Sequence, residues 1–91
     1  MKNNWEDCTP RKLGKNEEKS SCWTLSTSKL TIIVTNGHIH YKPDWIMYCH
    51  ELNMNTVQIR VPADTPVEEV QWIAREMVID KLNVMLNSLN Q

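Results

Sequence analysis

The chain has no phenylalanine, and its 91 residues include only two glycines, Gly14 and Gly37. Two isolated glycines cannot build a Gly-rich phosphate loop. The three cysteines, Cys8, Cys22 and Cys49, make no CxxC pair, so zinc-ribbon and thioredoxin-type sites are excluded. An odd cysteine count without a secretion signal does not suggest a disulfide framework. No apolar run approaches the roughly 20 residues of a membrane span, and the N-terminus lacks the apolar core of a signal segment. The expectation is a cytoplasmic chain with free thiols. An excess of charge of either sign is also missing: 10 basic and 11 acidic residues leave a net charge of −1. Phosphate contacts need clustered Lys and Arg, so a strongly basic nucleic-acid binder is disfavoured, as is an acidic nucleic-acid mimic.

What is present fits one ordinary globular domain, with 41% hydrophobic and 23% charged residues. The aromatic content is unusual, with four Trp and two Tyr. Residues 1–21 read as a polar, disordered tail, in which five basic side chains face four acidic ones. Trp5 and Leu13 are its only large apolar groups, too few to offset the entropy of ordering, although Trp5 is available for weak docking. The domain is expected over residues 22–91.

Four segments alternate like strands. Cys22 to Ser26 places Trp23 and Leu25 on one face, and Leu30 to Thr35 does the same with Leu30, Ile32 and Val34. Asn36-Gly37 suggests a turn at positive φ. His38 to Tyr41 reads either as a short strand or as an irregular excursion. Trp45 to His50 is bulky on both faces, so it should be central or covered on its second side. Thr56 to Val61 aligns Val57, Ile59 and Val61 before Pro62 ends the ladder.

The helix is the best-specified element. Thr65-Pro66-Val67-Glu68 fits a capping box with Pro at the first helical position, and no later Gly or Pro stops the helix before about Leu89. At about 100° per residue, Val67, Val70, Ile73, Ala74, Met77, Val78, Leu82, Val84, Met85 and Leu89 share one half of the circumference. That half is expected to cover the sheet. Trp72, Ile79 and Leu86 form a second stripe roughly opposite Val70, with Glu68 and Arg75 at its border. One helix on one sheet cannot easily bury both. Either the sheet or the Trp5 segment wraps round to cover the stripe, or it is an interface with a second copy or a protein partner.

Chemistry-bearing constellations are sparse. His38 and His40 would share a face of an extended segment, with His50 or Cys49 as further ligands, yet no second close ligand pair exists and no metal site is assigned. Cys49 and His50 are adjacent in a strand, so they point to opposite faces and cannot form a nucleophile–base pair. No catalytic residues, cofactor or small-molecule substrate is expected, and the chain reads as a non-enzyme. Tyr41, Trp45 and Tyr48 could form a stacking platform for bases. Residues 22–91, however, carry five basic against seven acidic side chains, which makes nucleic acid an unlikely partner.

The segment from Trp45 to Leu86 has a further pattern. A strand leads to His50-Glu51-Leu52, and a second strand leads to Ala63-Asp64-Thr65-Pro66-Val67-Glu68-Glu69-Val70, which opens an amphipathic helix. This resembles the HicB-like antitoxin fold, in which His50 stands at a position usually held by Pro. The resemblance implies a sheet with one helix, dimer formation and neutralisation of a small partner protein. The expected fold is therefore α+β: an antiparallel meander of three or four strands with one long C-terminal helix packed on one face. The expected function is a non-enzymatic protein-binding module, a small inhibitor or antitoxin-like protein that occludes a partner and is itself dimeric. Such chains are typical of phage or mobile elements. The alternative is a small nucleic-acid-binding accessory protein of such an element.

Overall fold

A computed structural model describes residues 5–9 and 21–89. Five antiparallel strands follow one another as a meander: β1 (Glu6–Asp7), β2 (Cys22–Ser26), β3 (Thr31–Thr35), β4 (Trp45–Cys49) and β5 (Met54–Ile59). A short 3-10 turn, His50–Leu52, joins the last two, and a single helix, α1 (Val67–Leu89), completes the chain. The class is α+β, as the alternation pattern predicts, with one strand more than expected.

That extra strand comes from the segment read as a tail. Trp5 packs half-buried against the core, and β1 pairs with β2 so that Glu6 faces Thr24 and Asp7 faces Trp23. The expectation of disorder for the remainder of residues 1–20 lies outside the described residues.

Strand periodicity dictates which residues meet across the sheet. Trp23, Val34, Met47 and Val57 are cross-strand partners in successive strands and point towards α1. Val70, Ala74 and Val78 recur every fourth residue and meet them from the helix side, all three buried. Ala74 has no bulk beyond its Cβ, so the helix can lie close to the sheet. On the other face, Ile46 is fully buried although it does not belong to the helix-side cluster. The bulk on both faces of β4 thus has a structural counterpart: the strand lies inside the sheet, paired on both edges, and Ile46 and Met47 on its two faces are both fully buried.

Three local expectations change. Neither Asn36 nor Gly37 adopts positive φ. Gly37 sits at a close approach instead: a Cβ there would lie 3.0 Å from Ser21 Oγ, so the serine side chain would have to shift by a few tenths of an ångström. The strand expected at Thr56 to Val61 runs from Met54 to Ile59, two residues earlier. Asn53, in the left-handed region at φ 60°, closes the 3-10 turn, so pairing resumes at once with Met54 opposite Cys49. Between there and the Met47–Val57 pair, β5 holds one residue more than β4. This bulge is taken up at Thr56, at φ 54°. Finally, the capping box does not form. Thr65 Oγ1 donates to the Pro62 carbonyl at 2.6 Å instead of accepting from Glu68, and α1 starts at Val67 behind Pro66.

Candidate functional site

Helix α1 is 23 residues long, about 34 Å at 1.5 Å per residue. The five-residue strands β2 to β4 beneath it span only about 17 Å. The last buried helical residue is Val78, and every side chain from Ile79 to Leu89 is exposed. About three turns of helix therefore project beyond the sheet. The expectation that Leu82, Val84, Met85 and Leu89 cover the sheet is corrected by this mismatch of lengths: they lie on the right side of the helix, but none of the described strands lies under them.

The second stripe is likewise bare. Trp72 is 57%, Ile79 42% and Leu86 56% exposed. Neither the sheet nor Trp5, which packs at the β1–β2 side, covers them. Arg75 is half-buried, with its guanidinium carbon 5.9 Å from the Trp72 ring centroid, a cation–π approach that keeps the indole on the outer surface. Glu68 is exposed at the start of the helix.

The two sets of apolar residues merge beyond Val78. By the 100° rule, Met85, Leu89, Leu82, Leu86 and Ile79 occupy a wedge of about 120°, with Asp80, Asn83 and Asn87 outside it. Read along the helix, Trp72, Arg75, Ile79, Leu82, Leu86 and Leu89 alternate in steps of three and four. That is the a/d spacing of a two-helix seam. The sequence shows this spacing, but periodicity alone could not show that the sheet ends before it does. Comparing the 23-residue helix with the five-residue strands would have revealed the overhang.

The other candidate residues separate. Trp45 is only 4% exposed and packs on the helix side of the sheet, with its indole Nε1 buried and unpartnered. Tyr48 points to the opposite face. The three-ring platform of Tyr41, Trp45 and Tyr48 does not form, because alternation along β4 sends neighbours of odd spacing to opposite sides and Trp45 goes into the core. Burial raises the pKa of Tyr48 above its usual value, and Cys22 and Tyr41 raise it further.

His38 and His40 lie in a turn, held by hydrogen bonds from the amides of Tyr41 and Lys42 to the His38 carbonyl. Their ring centroids are 5.6 Å apart, and His38 Nδ1 accepts from the His40 amide at 3.1 Å. Among the described residues no three His, Cys, Asp or Glu side chains converge as a metal site. Cys49 is fully buried, and burial raises its thiol pKa. His50 is exposed and bonds Asn55 Oδ1 at 3.0 Å, turned away from the Cys49 thiol. Glu51, whose carboxyl accepts from the Thr31 amide at 3.2 Å, ties the 3-10 turn to β3.

Among the described residues, no helix is long and apolar enough to cross a membrane. A shallow groove of about 350 Å³ is lined by Asp44, Arg60 and neighbouring residues at the end of β5. The surface with the most uncovered apolar side chains is the outer half of α1. Compared with family models, curated proteins and solved structures, the chain matches none.

Proposed function

We propose that the chain is a non-enzymatic protein-binding module, dimeric through the projecting half of α1, of the kind that works as a small inhibitor or antitoxin by occluding a partner protein. The overhang carries this reading. A helical extension gains little from propensity alone, and most helix stability in proteins comes from packing an apolar face. Among the described residues, the apolar wedge of residues 79–89 has nothing to pack on.

A second copy fits the wedge. The seam is self-complementary in the antiparallel sense: Trp72 meets the partner's Leu89, Arg75 the partner's Leu86, and Ile79 the partner's Leu82. Each a position then faces a d position. A parallel pair would instead set Arg75 against the partner's Arg75. Residues 79–89 carry one acid, Asp80, and one base, Lys81, so two copies meet without net repulsion. The likeness of Trp45 to Leu86 to HicB-like chains points the same way, since such chains dimerise and block a small protein. The nucleic-acid alternative has less support, because Trp45 lies in the core.

Amide hydrogen exchange at two protein concentrations tests this reading. Protection over residues 79–89 should increase between micromolar and hundreds of micromolar protein, while that of β3 and β4 stays constant. Protection over 79–89 that is unchanged with concentration would count against self-pairing.

A further inference from the structure

Outside the helix, one pair of reactive groups stands close together. β1 and β2 pair with Glu6 opposite Thr24 and Asp7 opposite Trp23. Continuing that register sets Cys8 directly opposite Cys22. The Cys8 amide donates to the Cys22 carbonyl at 2.9 Å, and the two Sγ atoms lie 2.7 Å apart. Residues opposed across a hydrogen-bonded antiparallel pair have Cα atoms about 5.5 Å apart, inside the range a disulfide spans. The two side chains leave the same face of the sheet, so no backbone movement is needed to join them.

We propose that Cys8 and Cys22 form a reversible intramolecular disulfide, a redox modification site that fastens the N-terminal strand to the sheet edge. The oxidant is a peroxide. Cys8 is exposed, so it is the sulfur that meets the peroxide first, and it receives a hydrogen bond from Thr24 Oγ1 at 2.9 Å. Its sulfur attacks one peroxide oxygen, the O–O bond breaks, and a sulfenic acid and one water result. The Cys22 sulfur then attacks the Cys8 sulfur. The S–S bond forms as the S–O bond breaks, and the hydroxyl leaves as water with the Cys22 proton. Two thiols and one peroxide thus give one disulfide and two waters. Cys22 takes the second role because its sulfur already lies 2.7 Å from that of Cys8; burial, followed by the neighbouring Cys8, pushes its thiol pKa up to about 12, so it does not compete for the peroxide. It remains a protonated thiol until the sulfenic acid is beside it. Cys49 is buried on the helix side of the sheet and takes no part.

The consequence is structural. β1 has two residues, and without it the outer edge of β2 offers unpaired backbone groups to any other strand. The disulfide closes that edge and holds Trp5 against the core. This inference rests on the β1–β2 register and is independent of how α1 is used.

The test is oxidation of the purified full chain with one equivalent of hydrogen peroxide, followed by intact mass and peptide mapping. The expected product is a chain with no covalent link to a second copy, lighter by about 2 Da, with a Cys8–Cys22 linkage and Cys49 still alkylatable after unfolding. It should melt about 10 °C higher than the reduced form, and dithiothreitol should reverse both changes. The Cys8→Ser and Cys22→Ser variants should show neither. Oxygen adducts on separate cysteines, a bridge that includes Cys49, or a bridge between two chains would each overturn the proposal. Wild-type mapping suffices for this, so the outcome does not depend on any variant folding.

Discussion

Met47→Ala is expected to lower the stability of the chain by about 2–5 kcal/mol, the cost of truncating a long apolar side chain in a closed core. Met47 is fully buried at the middle of β4, flanked by Val34 on β3 and Val57 on β5, with α1 above. Neighbours fixed on three elements cannot collapse into the space. A domain of this size has only about 5–14 kcal/mol in total, so the variant should melt about 10–30 °C lower. Met85→Ala removes the same atoms from the projecting part of α1. At protein concentrations too low for pairing, it should change the melting temperature by no more than a few degrees. Thermal melts followed by circular dichroism check both. Equal losses for the two variants would mean that the outer helix is part of the core.

The second large effect concerns association. Ile79→Asp combined with Leu82→Asp should leave the monomer folded, since both side chains lie beyond Val78, the last buried helical residue. In an antiparallel pair each residue occurs twice, so four apolar contacts are lost and four carboxylates are introduced. At a minimum of about 1.5 kcal/mol for each buried apolar side chain, the dimer should weaken by roughly four decades. Size-exclusion chromatography with light scattering reads this directly. Glu68→Ala, at the distal end of the stripe, should change the association constant by less than about tenfold, as rim charges generally contribute little.

Much of this arrangement can be read in the residues. Leu30, Ile32 and Val34 share one side of β3 because that side faces the helix, and the structure buries Ile32 and Val34 accordingly, while Ile33 on the other side is only half-buried. The double-sided bulk of Trp45 to Cys49 marks β4 as a strand inside the sheet, paired on both edges. Thr65-Pro66 locates the start of α1 to within a residue, even though the Thr65 hydroxyl turns back to Pro62.

What stayed hidden was long-range. Whether Leu82, Met85 and Leu89 face the sheet depends on where the sheet stops, and helical periodicity does not contain that information. The pairing of Trp5 to Cys8 with β2 was invisible for a different reason. Glu6 and Asp7 have low strand propensity, and only the docking of Trp5 and the register opposite Thr24 and Trp23 make them a strand. The Cys8–Cys22 proximity follows from that register, so it was equally out of reach. Four Trp and no Phe also acquire a meaning. Trp45 fills the core, Trp23 and Trp5 pack at its margin, and Trp72 lies outside, beside Arg75, where an amphipathic ring suits a surface that is wet in the monomer and would be dry in the proposed pair.

The central claim is that the projecting half of α1 docks onto a second copy, and sedimentation equilibrium of the wild-type chain over a hundredfold range of concentration tests it most directly. The apparent mass should rise from the 10.7 kDa of one chain towards twice that value and level off there, as an antiparallel pair closes on itself. A mass that stays at 10.7 kDa to the highest concentration, or that climbs past the dimer without a plateau, would contradict it.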